Sequence, residues 1–231
     1  MKTIGLIGGL SWESSSEYYR IINETVARRL GGLHSAQSIM FSFDFAAIEA
    51  LQYQGRWDDA TIVMIEAAQQ IERGGADVAI ICSNTMHKMA DAVQEHIDIP
   101  LIHIADPTGE AIVAQGLRRV GLLATKFTME QDFYRGRLAE RFGLDVITPD
   151  ADKRQIVHAV IYDELCRGTV REESKARYVG IIHNLIARGA EGIFLGCTEI
   201  EMLIGPADSP VPVFDTTALH AEAAVAFALA T

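Results

Sequence analysis

The sequence predicts an α/β protein of two pseudo-symmetric lobes, each an open parallel sheet flanked by helices, with the active site in the cleft between them. Three observations carry that prediction. Apolar runs such as "VAIIC", "LIHIA", "VGLLA" and "GIFLG" lack polar alternation, as strands covered on both faces do. Helical stretches lie between them, including "ATIVMIEAAQQIERGG" and "RYVGIIHNLIARGA", each closed by glycine. The chain also repeats itself about halfway along.

The first element, "TIGLIGGLSWESSSEYYR", reads as strand, tight turn and helix, and "RVGLLATKFTMEQDFYRGRL" has the same form. Ile4 maps on Val120 and Tyr19 on Tyr134. Each copy carries a candidate capping box, Ser14 with Glu17 and Thr128 with Gln131. "ERGGADVAIICSNT" aligns with "ARGAEGIFLGCTE" once one glycine is skipped, so Ala76 meets Ala190, Ser83 meets Cys197 and Asn84 meets Thr198. A weaker echo pairs "IADPTGEAI" around Asp106 with "VFDTTALHAEAAV" around Asp215. Duplication explains these matches; independent α/β patterning of the two halves is the plainer alternative. Ligands of open parallel sheets bind beyond the carboxyl ends of the strands. A pseudo-twofold axis would bring Ser83 and Cys197 to opposite sides of one cleft.

Composition bounds the function. The 231 residues are 49% hydrophobic, enough for one large domain or two small lobes. Mean hydropathy is +0.14, yet no apolar run approaches the roughly 20 residues of a membrane span, so no membrane partner is expected. The start, "MKTIGLIGGLSWESS", reads as a strand and a glycine turn rather than a signal peptide. Three cysteines without paired spacing point to free thiols and a cytoplasmic location. A net charge of −11 argues against a nucleic-acid surface, which needs a basic stripe. It leaves room for an anionic metabolite held by oriented backbone N–H groups.

Cys197 ends a strand ahead of Thr198-Glu199. If these open a helix, its N–H donors lower the thiol pKa below about 8.5; a buried core cysteine is the alternative. Strand alternation sends Cys82 to the face opposite Ser83, and Cys166 in "IYDELCRG" has a helical context, so both read as core filler. Asn84, Thr85 and Thr198 suit the holding of a carboxylate, or plain helix capping. Thr125 and Thr128 share that ambiguity. His87 and His103 read as supporting groups, and His158 and His220 have no companion at metal spacing, so no metal site is expected. No cofactor is expected either. "GLIGGLS" lacks the G-x-G-x-x-G spacing, no P-loop occurs, and no lysine stands out for a Schiff base.

With "CSNTMH" and "GCTEI", the chain resembles the aspartate/glutamate racemase family. "GLIGGLSWESS", "LIHIADPTGEAI", "TMEQDFYRGRL", "IYDELCRG" and "PVFDTTALHA" extend the match over essentially the whole chain. The resemblance implies a two-lobed fold, cofactor-independent racemisation and a homodimer, with lobe 1 at 1–98 completed by 212–231 and lobe 2 at 99–211. In the family, a cysteine before Asn-Thr and another before Thr-Glu flank the α-carbon of an amino-acid substrate. Here Ser83 stands at the first position and Cys197 at the second. The chain therefore resembles a one-cysteine branch preferring L-aspartate and L-glutamate. By the same resemblance Asn84, Thr85 and Thr198 anchor the substrate, Leu10 and Gln52 contribute from matching segments, and Glu164 meets the ammonium group. Rival expectations are a single-thiol decarboxylase or lyase, and a catalytically weak amino-acid-binding protein.

Overall fold

The computed structural model describes residues 1–230. The chain divides into two compact units, Met1–Ile104 with the segment from His220 on, and Ala105–Leu219. Each unit is a parallel sheet flanked by helices, the expected fold class.

The first unit contains β1 (Ile4–Gly8), α1 (Trp12–Leu30), β2 (Ser38–Ser42), α2 (Phe45–Tyr53), α3 (Trp57–Arg73), β3 (Val78–Ile81), a 3-10 turn at Thr85–Met89 and α4 (Ala90–Gln94). Its strands lie in the order β2-β1-β3, all parallel. The second unit runs α5 (Ala105–Ala114), β4 (Arg119–Ala124), α6 (Lys126–Glu130), α7 (Asp132–Phe142), β5 (Asp145–Ile147), α8 (Ala151–Asp163), α9 (Glu172–Ala187), β6 (Gly192–Gly196) and β7 (Val213–Asp215). Its order is β5-β4-β6-β7, again parallel. The last helix, α10 (Thr216–Leu229), begins in the second unit and ends in the first.

The internal repeat reappears as sheet register. Ile4 pairs with Val78, and Val120 pairs with Gly192. Those pairs coincide when Ile4 is laid on Val120 and Ala76 on Ala190. β2 flanks β1 as β5 flanks β4, and Leu101 bridges Ala79 beyond β3 where β7 flanks β6. The weak echo around Asp106 and Asp215 follows these two outer segments. One strand departs from expectation. The final strand, expected to complete lobe 1, pairs through Val213 with Ile193 and so extends the second sheet.

The helices start earlier than the candidate capping boxes. Ser11 caps α1, its Oγ accepting from the Ser14 N–H at 3.2 Å, and Thr125 caps α6 by accepting from Thr128 at 3.4 Å. Ser14 and Thr128 thus lie inside the first turns. The cause in the first unit is the tightness of the strand-to-helix turn. Gly9 has φ +72°, a side chain there would lie 2.3 Å from the Phe43 backbone, and its N–H donates to Ser15 Oγ at 2.7 Å. Strand burial follows the sequence pattern, for every residue of β1, β3 and β6 is buried. α3 turns Ala60, Met64, Ala67, Ala68 and Ile71 inward to join Ile7, Ala79 and Ile81 in one apolar cluster. No helix among the described residues is long and apolar enough to cross a membrane.

Candidate active site

In the first unit the chain turns sharply after β3. The Cys82 N–H donates to the Ile7 carbonyl at 2.9 Å, and the Ser83 N–H reaches back to the Ile81 carbonyl at 2.8 Å. Ser14 Oγ donates to the Cys82 carbonyl at 3.2 Å, pinning the turn to α1. Cys82 is wholly buried, and burial pushes its thiol far up, which suits the filler role expected of it. Ser83 is half-buried, and its Oγ accepts from the Met86 N–H at 3.5 Å. Asn84 and Thr85 are buried beside it. Asn84 makes no side-chain cap to the following turn, so plain capping does not account for it. Gln52 reaches over from α2, its Nε2 3.1 Å from Met86 Sδ, and Leu10 shares an apolar cluster with Met86. These five residues, named from the sequence, gather around one turn and its flank.

Three buried histidines support that turn. His87 donates from Nδ1 to the Ser83 carbonyl at 2.6 Å and accepts at Nε2 from the Ile104 N–H at 3.2 Å. His220, from α10, donates from Nε2 to the Ile102 carbonyl at 2.8 Å and accepts at Nδ1 from Tyr18 Oη at 2.8 Å. The backbone N–H donated to His87 Nε2 fixes that ring as neutral. His87 lies 4.7 Å from the His103 ring and 5.4 Å from the His220 ring. Burial, then the two neighbouring rings, hold its pKa well below 6.5.

In the second unit Cys197 follows β6 with extended backbone, and the Leu195 carbonyl before it accepts from Thr216 Oγ1 at 2.7 Å. The expected helix is a 3-10 turn of five residues, Thr198–Met202. Sγ donates to Glu199 Oε2 at 2.8 Å, and Thr198 Oγ1 donates to the same oxygen at 2.8 Å. Burial and the Glu199 charge raise the thiol pKa well above 9.0; a hydrogen bond from the Glu199 backbone opposes them weakly. The expectation of a lowered thiol pKa is therefore corrected. So short a turn offers little N-terminal dipole, and a buried carboxylate outweighs it.

Glu199 was not singled out in the sequence. Its signal was an acidic residue between a buried strand and the apolar Ile200, a place where a carboxylate is enclosed rather than solvated. Thr198 is buried beside it. Thr125 is buried as well and serves as the α6 cap, with Oγ1 3.3 Å from Thr128 Oγ1. Glu164 Oε2 accepts from Ser174 Oγ at 2.7 Å, and its other oxygen lies 3.9 Å from Arg171. The next turn, Leu165–Arg167, carries half-buried Cys166 and packs on Thr198–Met202.

Each unit is an α/β sheet with one of the two expected positions just beyond a buried strand, Ser83 after β3 and Cys197 after β6. The family model described as Asp/Glu/Hydantoin racemase matches residues 7–224, and the chain belongs to this family of isomerases. A crystal structure of a candidate Asp/Glu racemase from Yersinia pestis is 51% identical over the full length of both chains, with a TM-score of 0.93. An aspartate racemase homologue from Pyrococcus horikoshii OT3 is 34% identical over 99% of both chains, with a TM-score of 0.85. The broad specificity amino-acid racemase RacX of Bacillus subtilis (strain 168) is 23% identical over 75% of this chain and 74% of its own.

Proposed function

We propose that the protein racemises an acidic amino acid, L-aspartate or L-glutamate, without a cofactor, and that it works as a homodimer in the cytoplasm. Cys197 exchanges the α-proton on one face of the substrate, and the second proton comes from the Ser83 side. The observation that carries this reading is the equivalence of Cys197 and Ser83 in a repeat that sheet register reproduces. Asn84, Thr85 and Thr198 hold the substrate, with Leu10, Gln52 and Thr125 shaping its surroundings. Cys197 rests as a thiol and loses its proton to solvent before acting. The Cα–H bond of the L-substrate then breaks as the S–H bond forms. A proton delivered to the opposite face completes inversion, and solvent exchange resets both groups.

The two faces are unequal in strength. A serine hydroxyl is a far weaker acid than a thiol, so delivery from the Ser83 side is slow. The equilibrium constant between enantiomers is one, so kcat/KM is equal in both directions, and a preference for L-substrate resides in kcat and KM separately. The test is incubation with L-aspartate or L-glutamate in heavy water, following α-proton loss by NMR and the D-isomer by chiral chromatography. Exchange that outruns D-isomer formation and falls by roughly a thousandfold or more in Cys197→Ala is expected. Equal rates of exchange and inversion would remove the unequal-face mechanism, and no exchange with either amino acid would remove the racemase reading.

A further inference from the structure

We propose that His87 is a positioning residue for the second proton transfer: its ring holds the Ser83 backbone in the orientation that aims the hydroxyl at the reacting carbon. The inference rests on the racemase reading and deepens it, by naming what fixes the weaker of the two faces.

The winding of the turn creates the need. In an α-helix the Ser83 carbonyl would accept from the N–H four residues on, which belongs to His87. Here the turn is 3-10, and that N–H goes to the Asn84 carbonyl at 3.2 Å instead. The side chain of His87 takes its place. Helical side chains lean back over the preceding turn, and Nδ1 donates to the Ser83 carbonyl at 2.6 Å. On the other side of the same residue, the Ser83 N–H is folded back on the Ile81 carbonyl at 2.8 Å. Ser83 Oγ has a weaker hold, accepting from the Met86 N–H at 3.5 Å. The direction of the hydroxyl therefore follows from the backbone, and the backbone is fixed by the ring.

The ring is itself held in place. His87 is 2% exposed, and its Nε2 accepts from the Ile104 N–H at 3.2 Å, beyond α4. The His103 ring packs at 4.7 Å and the His220 ring at 5.4 Å, so the imidazole cannot turn without displacing a neighbour. The second copy is built differently. With Asn84 laid on Thr198, Glu201 stands at the station of His87. Cys197 is held through its own Sγ, which donates to Glu199 at 2.8 Å. The two proton carriers are thus placed by different means, and a change at residue 87 acts on one of them. A misplacement of about 1 Å costs a transfer about 100-fold.

The experiment compares wild type, His87→Gln and His87→Asn with L-aspartate and L-glutamate in heavy water at pH 8. It reads the ratio of D-isomer formation to α-proton exchange. The Asn amide nitrogen is as many bonds from Cα as Nδ1, so it still donates to the Ser83 carbonyl. Gln reaches the station of Nε2, which keeps the Ile104 bond and leaves the Ser83 carbonyl without its donor. His87→Gln should lower the ratio by about 10- to 100-fold, and His87→Asn should keep it within about threefold of wild type. Exchange through Cys197 reports that each variant is folded. An unchanged ratio in His87→Gln would overturn the assignment, as would an equal fall in both variants. Loss of exchange and inversion together would do the same, for it marks a residue that serves folding alone. If the wild-type protein exchanges neither amino acid, the racemase reading fails, a result separate from failure of His87.

Discussion

At the scale of single residues, the central pair is Cys197 and Glu199. A thiol donating to a buried carboxylate is held protonated, so Cys197 is a weak nucleophile at neutral pH despite standing at a strand end. Its alkylation by iodoacetamide, followed by mass spectrometry of its own peptide, should keep rising with pH beyond the ordinary thiol range. Glu199→Gln removes the charge and leaves only a neutral amide acceptor, and should move that profile to lower pH. An unmoved profile would mean that burial alone sets the thiol. The two strand-end positions were legible in the sequence because "CSNT" and "GCTE" sit in an aligned repeat. The thiol's ionisation was not. It depends on whether the residues after Cys197 wind as α-helix or as a 3-10 turn, and hence on where the Glu199 side chain points.

At the scale of elements, the turn carrying Ser83 is held by groups brought from distant parts of the chain. His87 comes from the turn itself, His103 from the segment beyond α4, and His220 from α10, with Tyr18 of α1 behind it. Sequence reading placed His87 and His103 as supporting groups and left His220 as a histidine in a helical context, but had no means of assembling the three, since neither period nor spacing links residues 87, 103 and 220. Helix starts were misplaced for a related reason. Ser14 and Thr128 satisfy the capping pattern, yet Ser11 and Thr125 stand where the backbone actually enters the helix.

The histidine cluster carries a pH dependence. Its central member, His87, is held neutral by burial and has a folded pKa well below 6.5. As pH falls through 6.5 the unfolded chain takes up a proton that folded His87 refuses. Stability is thus complete above that range and falls below it, by up to about 1.4 kcal/mol per pH unit for each such histidine. Between pH 6.5 and 5, His87→Asn should show a shallower fall in melting temperature than the wild type, although it melts lower at pH 8. Parallel curves would show that His87 adds nothing to the acid sensitivity.

At the scale of the whole molecule, the sequence repeat and the sheets tell one story. Strand alignment was readable because self-similarity over a strand and its flanking helix fixes register, and Ile4 with Val78 and Val120 with Gly192 follow directly. The allocation of the last strand was not readable. A three-residue strand holds too little pattern to choose between two similar sheets. Duplication also supplies a test of the chemistry, because each copy reports on the other. Laid on Cys197-Thr198-Glu199, the first copy reads Ser83-Asn84-Thr85, so Thr85 stands where Glu199 stands and no carboxylate follows at that station. A thiol at position 83 would be half-buried rather than enclosed and would lack the acidic neighbour, so it should ionise at lower pH than Cys197. Ser83→Cys should leave L-substrate α-proton exchange through Cys197 near the wild-type rate and raise inversion on the order of tenfold or more, within the range a well-placed general acid supplies. Since the enantiomers are equal in free energy, kcat/KM must rise by the same factor from either side. Chiral chromatography of reactions begun from L- and D-aspartate measures both. A gain in neither direction would mean that position 83 does not address the reacting carbon, and that the second proton has another source.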